Sequence, residues 1–123
     1  MRAKDAVGQY GERVAARHLE ERGWEVLARN WRGTRGELDL VALDGDVVVA
    51  VEVKTRSGEA FGHPAEAVTP AKLNRLRRLT GQWLDEHGAG GPRGRYREVR
   101  VDVVAVTLAR SGPARVEHLE GVL

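Results

Sequence analysis

The segment Gly36-Glu37-Leu38-Asp39-Leu40, continuing through Asp44-Gly45 to Val51-Glu52-Val53-Lys54, constrains the fold more than any other part of the chain. Asp-Gly tolerates the positive φ angles of a two-residue connection, so the apolar runs on either side read as an antiparallel hairpin. With Leu43 and Asp46 as the last pair, Asp39 falls opposite Ala50 and Glu37 opposite Glu52. Glu52 is then diagonal to Asp39, and Lys54 shares their face by the two-residue period. A slip of one residue would put Val51 and Val53 in their place.

From Val47 to Val51 the second strand is apolar on both faces, as expected of a strand buried between layers, and it turns polar at Glu52 and Lys54. Three carboxylates and a lysine therefore gather where a buried strand emerges. Carboxylates set directly opposite repel, so the arrangement calls for a cation, either a bound ion or Lys54. Hard divalent ions such as magnesium take oxygen ligands and keep waters and substrate phosphates beside one or two carboxylates. Phosphodiester hydrolysis uses such a site. Of 20 basic residues, Lys4, Lys54 and Lys72 are the lysines, which marks Lys54 as a position where a compact ammonium is wanted.

The 123 residues, 41% hydrophobic and 31% charged, are expected to form one domain over 1–123. No apolar run reaches membrane-spanning length, and the charged, alanine-rich start is unlike a secretory signal. Zero cysteines exclude disulfides and cysteine-based zinc sites and fit a cytoplasmic location. The net charge is only +2 with a pI of about 9.4, so local clusters of arginine matter more than bulk charge.

Residues Ala3 to Glu21 read as a helix with Val7, Tyr10, Val14 and His18 along its buried stripe and Ala15 and Leu19 beside it. Gly8 and Gly11 allow close packing on a sheet, and Glu12 borders the stripe, where position alone reads as a solvated glutamate. His18 reads as a packed, hydrogen-bonded histidine. Gly23 ends the helix and Trp24 to Ala28 fits a first strand. Arg29 to Arg35 then reads as a polar turn, its arginines suited to phosphates and its Trp31 either stacking on a base or tucked under the sheet. After Lys54 a glycine-punctuated loop runs from Thr55 to Pro64, with Arg56 as its phosphate contact and no evident partner for His63. Thr69-Pro70 opens a second helix with Leu73, Leu76, Leu79, Thr80, Trp83 and Leu84 buried. Lys72 falls within that stripe, either projecting past the core toward the strand ends or snorkelling to solvent. Gly88 to Arg95 is a basic loop, Arg100 to Thr107 a strand in which Asp102 reads as an arginine's structural partner, and Ala114 to Leu119 an edge strand.

The order helix, three strands, helix, strand, with Asp39 on the second strand and Glu52-Val53-Lys54 on the third, resembles the PD-(D/E)xK nuclease superfamily. That resemblance implies an α/β fold of the restriction-endonuclease-like type, an αβββαβ core whose mixed central sheet is flanked by helices. Glu12 matches the first-helix glutamate of branches that include archaeal Holliday-junction resolvases. More closely, the chain resembles the YraN-type family of small bacterial proteins. The matching words are Gly11-Glu12, Asn30, Gly36-Glu37-Leu38-Asp39-Leu40, Val51-Glu52-Val53-Lys54 with Arg56, Phe61-Gly62, Ala67-Val68, Lys72 and Arg100-Val101-Asp102-Val103-Val104. Leu38 stands where the superfamily has its proline.

By this resemblance Asp39, Glu52 and Glu12 are ligands of magnesium or manganese, with the Val53 carbonyl beside them. Lys54 then orients water and stabilises charge on the phosphate. The implied activity is endonucleolytic cleavage of DNA, branched or otherwise structured, with Arg32, Arg35, Arg56 and Lys72 holding the nucleic acid. A homodimer suits the cutting of paired strands. Two other readings stand beside it: a nucleic-acid-binding protein of the same fold without activity, and a protein-interaction module whose acidic cluster meets a basic partner.

Overall fold

Antiparallel hairpins and one helical crossover build a single five-stranded sheet, seen in a computed structural model that describes residues 6–57, 68–87 and 96–122. Helix α1 (Ala6–Glu21) leads into β1 (Glu25–Gly33), β2 (Gly36–Asp44) and β3 (Val47–Ser57). Helix α2 (Pro70–Glu86) then carries the chain to β4 (Glu98–Leu108) and β5 (Arg115–Leu119). The strands lie in sequence order, with β3 and β4 parallel and the other pairs antiparallel. A parallel pair needs a long connection, and α2 is that crossover. The expected αβββαβ core is present, extended by β5 at the sheet edge.

Two strands run well past the bounds read in the sequence. β1 continues through the segment read as a polar turn, so that Thr34 and Arg35 alone connect Gly33 to its partner Gly36. β1 is an edge strand, and charged side chains are common on edges, so its polarity concealed the strand. β3 likewise runs on through Thr55 to Ser57. The remainder of that loop, with His63, and the basic stretch 88–95 lie outside the described residues.

The β2–β3 hairpin closes one residue later than the Asp44-Gly45 reading. Asp44 pairs with Val47, and Gly45, at φ +61°, takes the first central position of the turn, the place a type II′ connection reserves for glycine. The register moves by two residues, which leaves the paired residues Leu40 to Asp44 and Val47 to Val51 on their expected faces.

Both faces of the sheet are covered. On the α2 side Val41, Leu43, Val48, Ala50, Val101 and Val103 lie under Leu76, Leu79 and Trp83. On the α1 side Leu40, Ala42, Val49, Val51, Val104 and Val106 lie under Ala15, Ala16 and Leu19. The valines of β3 alternate between these cores, which explains a run apolar on both faces. Each fully buried valine contributes about 1.5–3 kcal/mol, so β3 and β4 anchor the molecule.

Helix α2 follows the sequence reading closely. Thr69 is extended (φ −84°, ψ 166°) and its hydroxyl accepts the Lys72 N–H at 3.2 Å, with Pro70 opening the first turn. Leu76, Leu79, Thr80, Trp83 and Leu84 are buried, and Leu73 is half-buried. Helix α1 is rotated from the stripe read in the sequence. It buries Gly11, Glu12, Ala15, Ala16 and Leu19, while Val7 and Tyr10 stay 41% and 43% exposed. Close approach is the reason. A Cβ on Gly11 would collide with Thr55 Oγ1 and lie 2.8 Å from Thr55 Cβ, so the smallest residues face the sheet. No helix among the described residues is long and apolar enough to cross a membrane.

Gly11→Ala is expected to destabilise the protein by about 1–3 kcal/mol, the usual cost of overpacking, as read by urea unfolding. Adding Thr55→Ala, which removes the obstructing hydroxyl, recovers part of the loss. An unchanged unfolding midpoint in Gly11→Ala contradicts the close approach.

Candidate functional site

Paired residues of β2 and β3 end at Leu40 and Val51. Continued regularly, the ladder would offer the Val53 amide to the backbone of Leu38. Instead Val53 N–H donates to Asp39 Oδ2 at 2.9 Å. A side-chain carboxylate replaces a backbone acceptor where the strands part. The irregularity reaches β1, where Asn30 adopts φ +50° between the pairs Arg29–Leu40 and Trp31–Leu38. Leu38 packs into the α2-side core and Leu40 into the α1-side core, although residues two apart on a regular strand share a face. The N–H and C=O of one extended residue project to the same side, so the Val53 carbonyl faces the gap that holds Asp39.

Glu52 continues the face of Val48 and Ala50 toward α2. Its Oε2 lies 2.6 Å from Lys72 Nζ, with the two side chains 13% and 25% exposed respectively. Of the two alternatives for Lys72, the structure places it past the core at the end of the strand. Among the described residues the protein cation that meets Glu52 is therefore Lys72. Lys54 lies exposed two residues beyond Glu52. Such a short charge-assisted bond is among the stronger side-chain contacts.

The remaining sequence candidates are distributed unevenly. Glu37, expected opposite Glu52, instead faces Arg32 across β1 at 3.9 Å, which reduces the three-carboxylate face to Asp39 and Glu52. Glu12 is buried at 9% exposure, not solvated, and the seating of Gly11 over Thr55 holds it above the same end of β3. Arg56 is half-buried on β3, and Arg35 is exposed in the β1–β2 turn. Trp31 packs against the α2-side core, so it is tucked in rather than presented for stacking.

Among the described residues no three His, Asp or Glu side chains come together as a metal-binding group, so Glu12, Asp39 and Glu52 do not form one. Magnesium does not require such a group, since it commonly uses one or two carboxylates and completes its shell with waters and substrate phosphates. Asp39, Glu52 and the Val53 carbonyl are oxygen donors of the kind a hard ion takes, and they lack the nitrogen and sulfur donors favoured by zinc.

A second polar cluster lies on the α1 side. The Asp102 carboxylate, fully buried, accepts from Arg100 Nε at 2.8 Å, Arg100 Nη2 at 3.0 Å and the Gly121 amide at 2.9 Å, and it faces His118 Nε2 at 2.8 Å. Burial pushes its pKa up, but the hydrogen bonds from His118, Arg100 and Gly121 outweigh burial and hold it below the usual carboxylate range. His118 Nε2 is thereby assigned the proton, and Nδ1 accepts from Arg22 Nη1 and His18 Nε2, both at 3.0 Å. Trp24 stands edge-on to His118 with the guanidiniums of Arg22 and Arg100 4.9 and 5.4 Å from its ring. Every group has a structural partner, as expected for Asp102 and His18, and the cluster ties α1 to β4 and β5.

The fold and the site define a mixed-sheet α/β protein with two carboxylates where an internal strand pair opens. Residues 11–106 match the model of the Uncharacterised protein family UPF0102, and the chain belongs to that family, which bears out the resemblance to the YraN-type proteins. It is 66% identical over 122 residues to the UPF0102 protein of Beutenbergia cavernae, covering 99% of each chain. It is 60% identical over 123 residues to that of Kineococcus radiotolerans, covering 99% of this chain and 97% of the other. With the UPF0102 protein of Streptomyces coelicolor it shares 54% over 123 residues, 99% and 92% of the two chains.

The His18 imidazole is held below its ordinary 6.5, first by burial and then by His118 and Arg22, with Glu21 opposing. The unfolded chain therefore binds a proton that the folded chain refuses, so this contribution is complete above about pH 6.5 and is lost as pH falls toward the folded value. Asp102 adds stability that is present above about pH 3.9 and lost as pH falls through its lower folded value. Melting temperature is expected to drop on acidification below about pH 6.5, and His18→Gln to flatten that part of the profile; an unaltered profile contradicts the assignment. Lys72→Met leaves the Glu52 carboxylate without its partner and is expected to cost about 1–3 kcal/mol. Adding Glu52→Gln restores most of that loss, and strictly additive effects of the two substitutions contradict the pairing.

Proposed function

We propose that this protein is a metal-dependent phosphodiesterase that cleaves DNA endonucleolytically, with branched or structured DNA as its substrate class. The observation that carries the reading is the bond from Val53 N–H to Asp39 Oδ2 at 2.9 Å. It holds the Asp39 carboxylate beside the backbone of Glu52-Val53-Lys54, at the opening where the Val53 carbonyl also points. Asp39, Glu52 and that carbonyl would hold a magnesium or manganese ion. When bound, such an ion supplies Lewis-acid polarisation of the phosphate and a more acidic water.

The residues divide the remaining work. The Val53 amide orients Asp39, so its carboxylate needs no reorganisation when substrate arrives. Lys72 holds Glu52 at the strand end. Lys54, exposed at the mouth of the opening, places an ammonium where negative charge develops on the phosphate and donates to the attacking water or to a phosphate oxygen. Glu12, buried beneath α1 at the same end of β3, serves as an auxiliary carboxylate. Arg32 and Arg56 supply phosphate contacts around the opening.

One observation favours a second reading, in which the fold binds nucleic acid without cutting it. A protein ammonium already neutralises Glu52 at 2.6 Å, as a site relieved of its ion would require. Binding in that case is salt-sensitive and indifferent to chelator.

In the test, wild-type protein is incubated with linear, nicked, flapped and four-way DNA in magnesium or manganese. Cleavage is expected, and Asp39→Asn or Glu52→Gln should lower its rate by about 10²–10³-fold while leaving the fold intact. Asn keeps an oxygen for the Val53 amide, so a loss of rate reports on charge rather than on structure. No cleavage by wild-type protein of any substrate with either ion would overturn the proposal.

A further inference from the structure

The β1–β2 turn and the outward face of α2 enclose an open groove of about 520 Å³, lined by Thr34, Arg35, Asn74, Arg75, Arg78 and Gln82 over an apolar floor that includes Leu79. The turn is seated firmly against the helix. Thr34 N–H donates to Gln82 Oε1 at 3.0 Å. A Cβ on Gly33 would lie 2.7 Å from Gln82 Oε1, from Leu79 Cδ2 and from Trp31 Cζ3, and Gly36, at φ +149°, passes beneath Leu79 and Arg75. Glycines on both sides of Thr34-Arg35 thus let the turn approach α2 closely enough to form the wall.

The charge in this groove is unbalanced. Arg22, Arg29, Arg32, Arg97 and Arg100 each have a carboxylate within ion-pair distance. Arg35, Arg75 and Arg78 have none among the described residues, and all three are exposed. Converging unpaired guanidiniums repel one another and are suited to phosphate oxygens, which they bind in bidentate fashion. Lys72, Arg75 and Arg78 follow at three-residue steps, each advancing about 4.5 Å along the helix axis. The row begins at the residue that holds Glu52 and leads away from the site.

We infer that this groove is the track for a DNA sugar-phosphate backbone, delivering the strand to the Asp39–Glu52 opening; the ligand class rests on the phosphodiesterase reading above. An elongated row of cations fits a chain of phosphates better than a single small anion. Among the described residues the lining contains no aromatic side chain, so these residues offer no stacking platform and suit holding the backbone without reading bases. Asn74 and Gln82 add neutral groups that bond to phosphate and sugar oxygens.

The test measures binding of a labelled DNA duplex to the full chain in EDTA, by fluorescence anisotropy across a salt series. Each phosphate contact contributes about 0.9 to the slope of log K against log salt. The triple variant Arg35→Gln/Arg75→Gln/Arg78→Gln should therefore lower that slope by roughly 2.7 with no change in melting temperature. The pair Arg110→Gln/Arg115→Gln, around β5 at the opposite edge of the sheet, should leave the slope as in wild type. An unchanged slope in the triple variant, an equal fall in the control pair, or no DNA binding by wild-type protein overturns the groove. Because chelator suppresses metal-dependent cleavage, the two proposals fail separately. A fall in slope without cleavage in magnesium or manganese supports the groove and removes the phosphodiesterase, whereas cleavage with an unchanged slope removes the groove alone.

Discussion

A single hydrogen bond, from the Val53 amide to the Asp39 carboxylate, marks where the central hairpin opens and fixes what the opening contains. Had β2 and β3 remained zipped, the Val53 amide would meet a backbone carbonyl and Asp39 would project from one face like its neighbours. The turned segment at Asn30 and the opposite-face packing of Leu38 and Leu40 move that carboxylate into the plane of the sheet. A buried N–H must find an acceptor, and an ionised one makes a stronger bond than a peptide oxygen. The same event satisfies the backbone and orients a charged side chain.

The scaffold around this opening is stiff in the places that matter. β3 is buried on both faces up to Val51, and its parallel pairing with β4 extends to Ser57, so Glu52 and Lys54 emerge from a strand held on one side along its length. α1 lies against Thr55 through Gly11, and α2 begins with a capped turn whose Lys72 reaches Glu52. At the far side of α1, the Asp102–His118–His18 chain locks the helix to β4 and β5. The two polar clusters are thereby distinct in kind. Asp102 is fully buried and held by Arg100, His118 and Gly121, whereas Asp39 and Glu52 stand where the internal strands β2 and β3 have parted.

Much of this was legible in the residues because the signals are local. Asp44-Gly45 between two apolar runs announces a hairpin, Thr69-Pro70 announces a capped helix, and Val47 to Val51 announces a strand covered on both faces. Asp102 as an arginine's partner and His18 as a hydrogen-bonded histidine follow from charge and charge-free position within apolar stripes. What escaped depends on distant elements. The Glu52–Lys72 bond joins residues twenty apart, and Lys72 lay between two readings until the helix was placed. The face of α1 was misjudged because hydrophobic size marks a buried stripe only when space allows; here the closeness of Thr55 selected glycine and alanine. The full length of β1 is hidden in the sequence because an edge strand carries polar residues that resemble a turn, and the Val53–Asp39 bond follows from a ladder ending, which no periodicity records.

The central claim is that the opening beside Val53 is built to hold a divalent ion between Asp39 and Glu52. Anomalous diffraction from crystals soaked in manganese tests it most directly. The account predicts a manganese peak bonded to oxygens of both carboxylates, with Lys72 Nζ drawn away from Glu52. Full-occupancy manganese elsewhere in the crystal, with the Lys72–Glu52 bond intact and no peak at the opening, would contradict it.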